Sequence, residues 1–247
     1  MKTILITGCS SGFGLETARF FAERHWQVVA TMRTPREDVL PASDNLRVLA
    51  LDVTDPDSVR RAVNAAGPID ALVNNAGIGA AAPFEVTPTS TIREVFETNT
   101  FGTMAVTQAV LPQFRERRAG VVVNVTSAVT LRALPLLSAY TASKAAVNAF
   151  TESMALELGQ FGVRAHLVIP GRAPETRFAE NGRPHMQGLD NEAYVSLVQN
   201  FMAGFSEPGP VTYPRDVAEA VWRAVTDASS PLRIPAGADA VAWAMAN

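Results

Sequence analysis

The sequence predicts an α/β fold, a doubly wound parallel sheet with helices on both faces. Three observations carry that expectation. Short β-branched runs alternate with longer helical segments, most of those runs are apolar throughout, and a glycine-rich turn follows the first of them at once. A strand buried on both faces reads as a continuous apolar run, whereas a half-exposed strand alternates.

Thr3 to Thr7 opens the chain as a strand, and Gly14 to Arg24 continues it as a helix. Gln27 to Thr31 and Leu46 to Leu51 read as the next two strands. Asp55 then offers an N-cap with Pro56 at the first helical position, which predicts a helix to Ala66 that Gly67-Pro68 stops. Ile69 to Asn74 is the fourth strand, followed by a long helix over Ser90 to Arg117. Gly120 to Thr126, a helix over Ala139 to Gly159, and Val163 to Ile169 complete the regular part. Each helical stretch is long enough to carry the chain back to a parallel neighbour.

At 247 residues, with 47% hydrophobic and 18% charged residues, the chain can bury a large core, and one domain over 1–247 is the expectation. A net charge of -3 and a pI near 5.7 give no basic surface, so nucleic-acid binding is not expected. No run of 18 apolar residues exists, and Ile4 to Ile6 is too short for a secretory core, so the reading is a cytoplasmic protein without a membrane partner. Cys9 has no second cysteine to pair with. His25, His166 and His185 lack metal-ligand spacing, so no metal site is expected.

Thr7-Gly8-Cys9-Ser10-Ser11-Gly12-Phe13-Gly14 lies where a strand turns into a helix. Glycines there let the backbone approach a pyrophosphate, and the helix N-terminus attracts its charge, which makes the fold Rossmann-like. No Lys-Ser/Thr pair follows, so the turn is not a nucleotide P-loop. Cys9 within it reads as a small space-filling residue. Further along, Tyr140 and Lys144 stand at i and i+4 on one helix face, and Ser127 at the end of the preceding strand can reach them.

With these residues the sequence resembles the short-chain dehydrogenase/reductase family in its short single-domain branch. The likeness covers nearly the whole chain. It rests jointly on the glycine turn, Asn74-Asn75-Ala76-Gly77, Asn99 in Asn-Thr-Phe-Gly, Ser127 thirteen residues before Tyr140, and Pro170-Gly171 after the sixth strand. The resemblance implies about seven strands in the family's order. It also implies a homo-oligomer, dimer or tetramer, built through the long helices.

It further implies an oxidoreductase interconverting a ketone or aldehyde and the corresponding alcohol, with Tyr140 as proton donor or acceptor and Lys144 holding the nicotinamide ribose. Ser127 would hydrogen-bond the substrate oxygen, and Asn99 would support a water-linked proton path. Tyrosine at an unperturbed pKa near 10 needs roughly 4 kcal/mol of phenolate stabilisation to reach 7. One ammonium about 4 Å away supplies about that at an effective dielectric near 20, so the expectation is that Lys144 lowers the pKa of Tyr140 in a shielded site.

In such enzymes an acid after the second strand binds the adenosine ribose of NAD(H). Here Ala30-Thr31-Met32-Arg33-Thr34 carries no acid before Glu37, and Arg33 can pair with a 2′-phosphate, so NADP(H) is favoured over NAD(H). Ser11 can add a hydroxyl contact. Asp52-Val53 matches the adenine-binding pair, and the remaining cofactor residues implied are Gly8, Ser10, Gly12, Phe13, Gly14, Asn75, Ala76, Gly77, Pro170 and Gly171. Thr176 stands five residues after Gly171 where the family often has a threonine at four.

From about 172 to 210 the alternation breaks, and Phe178, Met186, Tyr194, Leu197, Val198, Phe201, Met202 and Phe205 gather among Gly and Pro. This reads as a lid over a fairly hydrophobic substrate, with a packing flap as the alternative. Two rival functions were weighed. A noncatalytic NADP(H)-binding sensor or scaffold would have no need of the intact Asn99, Ser127, Tyr140 and Lys144. A sugar-nucleotide epimerase or dehydratase would need a longer C-terminal substrate domain and a different glycine spacing.

Overall fold

The structure is a computed structural model that describes residues 1–206 and 208–246, without the side chains at 37, 205 and 206. Glu37 and the apolar Phe205 therefore lie outside the described side chains.

Seven parallel strands form one sheet: β1 (Thr3–Ile6), β2 (Gln27–Met32), β3 (Leu46–Ala50), β4 (Ala71–Asn74), β5 (Gly120–Val125), β6 (Val163–Pro170) and β7 (Arg233–Ala236). Their order is β3-β2-β1-β4-β5-β6-β7. The chain winds outward from β1 in one direction and then from β4 in the other, so a crevice opens at the C-terminal ends of β1 and β4. The first six strands match the apolar runs to within two residues at either end. The seventh is a four-residue edge strand carrying Arg233 and Pro235, which has no apolar run to announce it.

Successive residues in a strand face opposite ways, and the core divides accordingly. Ile4, Ile6, Val121, Val123 and Val125 pack with Phe20, Phe21 and Trp26, and with Val217, Val221 and Trp222. That face is covered by α1 (Gly12–Ala22) and α8 (Pro214–Thr226), where Phe21 stands 5.1 Å from Trp222 and 5.3 Å from Trp26, ring to ring. On the other face Leu5, Leu72 and Val122 pack with Val59, Val63, Val106, Phe114, Met154 and Leu158. Those belong to α2 (Pro56–Ala66), α4 (Gly102–Arg117) and α5 (Ser138–Gly159). Fully burying such a side chain stabilises by roughly 1.5–3 kcal/mol, which is why the two faces hold the sheet flat between layers.

Asp55 caps α2 as expected, its carboxylate accepting from Asp57 N at 2.9 Å, and Gly67 ends the helix at φ 75°. The long helix expected over Ser90 to Arg117 is divided. It runs as α3 (Thr89–Phe96), one π turn over Glu97–Phe101, then α4. The extra residue per turn is a tertiary effect, since Asn99 inside it bonds a neighbouring loop rather than its own helix. The segment after β6 holds α6 (Phe178–Gly182) and α7 (Val195–Ser206), and α9 (Ala238–Met245) follows β7.

Candidate active site

The glycine turn between β1 and α1 is laced to the loop after β4. Asn75 Nδ2 donates to the carbonyls of Thr7 (3.0 Å) and Gly8 (3.1 Å), and Thr7 Oγ1 accepts from the N–H groups of Asn75 and Ala76, both at 3.0 Å. This close approach requires glycine. A β-carbon on Gly8, whose φ is 75°, would lie 2.8 Å from Ala76 Cα, and one on Gly14 would lie 2.4 Å from Gly8 O. The α1 N-terminus beside it has no side-chain cap from Ser11 and no acid in its first turn. Those unclaimed N–H groups and the positive helix end suit a pyrophosphate.

The other expected cofactor residues lie on the loops after β2, β3 and β6. Arg33 is exposed at the end of β2. Arg36, which the sequence reading passed over, donates to Ser10 O at 3.0 Å and so reaches back to the glycine turn. Asp52 receives Thr54 through its N–H (3.0 Å) and hydroxyl (2.7 Å), and Val53 is buried against Gly102. Thr176, despite its extra residue, lies beside Gly12, where a β-carbon would stand 3.4 Å from its own. Cys9 is buried, and burial pushes its thiol up to about 12, consistent with a space-filling role and not with a nucleophile.

The four residues of the catalytic pattern come together past the ends of β4 and β5. Asn99 has no exposure at all. Its Oδ1 accepts from Ile78 N (2.8 Å), while Nδ2 donates to Ile78 O (2.9 Å) and Ser143 Oγ (3.0 Å). Ser143 in turn donates to Tyr140 O at 2.7 Å, so the amide of Asn99 ties the loop after Gly77 to the first turns of α5. Ser143 was also missed, because its role depends on a partner 44 residues away.

Tyr140 and Lys144, 7% and 5% exposed, point from α5 into the same space. Ser127, just past β5, hydrogen-bonds the Tyr140 hydroxyl, and Lys144 Nζ donates to Val125 O at 3.1 Å. A β-carbon on Gly77 would lie 3.0 Å from Asn99 Oδ1 and 3.3 Å from Lys144 Nζ.

Burial sets both pKa directions, and for Tyr140 the direction is opposite to the lowering expected: burial pushes the Tyr140 phenol up to about 12, with the Ser127 bond pulling the other way, and burial pulls Lys144 down to about 8. Stripping water from the site disfavours the phenolate and the ammonium alike. Part of the cover comes from the segment after β6. The Phe178 ring stands 5.6 Å from the Tyr140 ring and packs on Gly79, whose β-carbon would lie 2.8 Å from Phe178 Cε1. Farther along, Tyr194 donates to Glu85 at 2.5 Å, and His185 approaches Glu94 at 3.6 Å. The segment after β6 thus rests on the one that follows the asparagine–glycine loop.

A phosphate-accepting turn and a buried serine–tyrosine–lysine group beside it define a dinucleotide-dependent oxidoreductase. Comparison with known proteins narrows this. Residues 2–187 match the family model for short chain dehydrogenases, and the chain belongs to the short-chain dehydrogenase/reductase family. It is 34% identical to the 3-ketodihydrosphingosine reductase of Bacteroides thetaiotaomicron over 96% of this chain and 88% of that one. It is also 34% identical to retinol dehydrogenase 8 of Homo sapiens, over 94% of this chain and 80% of that one. A short-chain dehydrogenase from Streptomyces avermitilis has the same fold, with a TM-score of 0.86 and 32% identity, covering 99% of this chain and 91% of that one. Two further structural neighbours, 26% and 29% identical with TM-scores of 0.78, hold NADP and NADH respectively. The cofactor class is therefore a nicotinamide dinucleotide. Among the described residues no helix is long and apolar enough to cross a membrane.

Proposed function

We propose that this chain is an NADP(H)-dependent oxidoreductase that interconverts a ketone or aldehyde and its alcohol on a fairly hydrophobic substrate. The observation that carries the reading is the convergence of Ser127, Tyr140 and Lys144 in one buried space beside the glycine turn. In this proposal residues 1–247 act as one cytoplasmic dinucleotide-binding unit with a lid over 172–210, assembled as a homodimer or homotetramer.

A reduced nicotinamide, when bound, would supply the hydride for the carbonyl carbon. Tyr140 gives its phenolic proton to the carbonyl oxygen as negative charge develops there, and Ser127 hydrogen-bonds the same oxygen. A buried phenol is well suited to that direction, because it keeps its proton until a stronger base arrives. The reverse direction needs the phenolate, which the Lys144 ammonium supports and burial opposes. Lys144 would also hold the nicotinamide ribose. Asn99 keeps the loop after β4 against the turn carrying Tyr140 and supports a water-linked proton path.

For NADP(H) over NAD(H), the support is Arg33, exposed just past β2 with no acid before Glu37, and Arg36, which reaches the glycine turn, since two guanidinium groups suit a 2′-phosphate. Gly8, Ser10, Ser11, Gly12, Phe13 and Gly14 would cradle the phosphates, with Thr176 beside Gly12, Asp52 and Val53 would hold the adenine, and Asn75, Ala76 and Gly77 the ribose side. Pro170 and Gly171 would hold the nicotinamide end. For a hydrophobic substrate, the support is the lid's partly exposed Phe178, Leu197 and Met202. The relatives named for 3-ketodihydrosphingosine and retinol point the same way. The test is a panel of carbonyl compounds of graded chain length, following NADPH and NADH oxidation in parallel. Turnover of apolar ketones with NADPH is expected, and no turnover of any carbonyl with either cofactor would overturn the reading.

A further inference from the structure

Both ends of the lid converge on two buried side chains that belong to neither the glycine turn nor the catalytic group. Thr212, fully buried, accepts at Oγ1 from Gly171 N (2.8 Å) and lies within bonding distance of Ala236 O (2.9 Å) and Asp239 Oδ1 (2.8 Å). Asp239, 5% exposed in the first turn of α9, accepts at Oδ2 from Arg172 N at 2.6 Å. The backbone closes the same ring, with Thr212 N donating to Arg172 O at 2.8 Å. The residue that enters the lid and the residue that leaves it are thus fastened to each other and to α9.

Space around this ring is filled. A β-carbon on Gly171 would lie 2.1 Å from Asp239 Oδ2, and one on Gly237, at φ 94°, would lie 2.1 Å from Thr212 Oγ1. The carboxylate therefore presses directly on the peptide that ends β6, and no other residue type fits between them. A hydroxyl and a carboxylate that together take two backbone N–H groups fix that peptide plane more firmly than a loop could, because charge-assisted bonds are short and directional.

We propose that Thr212 and Asp239 are positioning residues that set the Gly171–Arg172 backbone at the nicotinamide end of the site. They also bind the lid's two ends into one base, so that cofactor seating and lid movement share a support. The kinetic part of this rests on the function proposed above; the lid-base part does not. Loss of the ring should release the lid without dissolving the sheet, since Val217, Val221 and Ile234 nearby remain in the main core.

The experiment compares full-length Thr212→Val, Thr212→Ser and Asp239→Asn with wild type by amide exchange without ligand, by NADPH affinity from cofactor fluorescence, and by kinetics on an active carbonyl. Thr212→Val keeps the volume and deletes the hydroxyl. It should raise exchange over 172–210 by about tenfold while the strands stay protected, and weaken NADPH by about tenfold. Thr212→Ser should stay within about twofold of wild type in both, a rescue that a general packing role would not give. KM for NADPH should rise more than kcat falls. Asp239→Asn, which keeps the shape, should repeat the Thr212→Val pattern and serves if that variant does not fold. Unchanged lid exchange and NADPH affinity in a folded Thr212→Val or Asp239→Asn protein would overturn the proposal, as would exchange rising equally in every strand. If wild type reduces no carbonyl, the function reading fails, and the exchange and affinity measurements still decide this one.

Discussion

The ring of Phe178 stands 5.6 Å from the ring of Tyr140, so the first helix of the lid rests on the phenol that faces Ser127. In the proposed reaction a substrate carbonyl comes within hydrogen-bond reach of that hydroxyl, beside Phe178. The phenol is buried, and burial raises its pKa.

Phe178→Ala is expected to uncover the phenol and bring its ionisation below the value near 12 that burial imposes. Ultraviolet absorbance titration of Phe178→Ala, with the Phe178→Ala/Tyr140→Phe double variant subtracted, isolates this group from Tyr194 and Tyr213. A Tyr140 ionisation at the same pH as in wild type would show that the ring contributes nothing to the shielding.

Lys144→Met should stabilise the ligand-free protein while abolishing turnover. The folded state holds Lys144 near 8 against 10.5 in the unfolded chain, so below pH 8 wild type carries the full cost of a buried ammonium. That cost is on the order of 3 kcal/mol, or roughly 6–12 degrees in Tm for a chain of this size. Between about pH 8 and 10.5 the unfolded chain binds the extra proton, wild-type stability rises with pH, and the advantage of the variant should shrink. Thermal unfolding at pH 7 and pH 10 checks both the sign and the trend.

Cofactor choice should follow the two guanidinium groups. Replacing Arg33 with Asp removes a phosphate partner and supplies a ribose acceptor, so the ratio of kcat/KM with NADPH to that with NADH should invert. Arg36→Ala should lower the NADPH value by roughly tenfold and leave the NADH value nearly unchanged, the scale of one charge-assisted bond. A wild-type protein that prefers NADH would contradict the assignment directly.

What could be read from the sequence follows from how local each signal is. Continuous apolar runs located β1 to β6, and Asp55-Pro56 located the start of α2, because those patterns arise within a few residues. The spacing of Tyr140 and Lys144 was legible for the same reason, since helix geometry alone puts them on one face. Arg36 was not, because its approach to Ser10 exists only once β2 lies beside β1. The π turn at Asn99, the link through Ser143, and the ring of Thr212 and Asp239 likewise depend on partners brought together by the whole sheet. The raised pKa of Tyr140 was not legible either, because burial of the phenol is a property of the folded site and not of the i,i+4 spacing.

The lid should gain protection when the site fills. Amide exchange over 172–210 with NADP⁺ and an unreactive substrate analogue, against ligand-free protein, is expected to slow most in α6 and α7. Equal protection with and without ligand would mark the segment as a packing flap.

The central claim, that Tyr140 transfers the proton, is tested most directly by Tyr140→Phe, which removes one hydroxyl and keeps the ring against Phe178. The measurement is kcat on a carbonyl that wild type reduces, alongside NADPH affinity and the unfolding midpoint of the variant. The account predicts a loss in kcat of about 10²-fold or more with cofactor affinity and folding preserved. Turnover close to wild type in the folded Tyr140→Phe protein would contradict it.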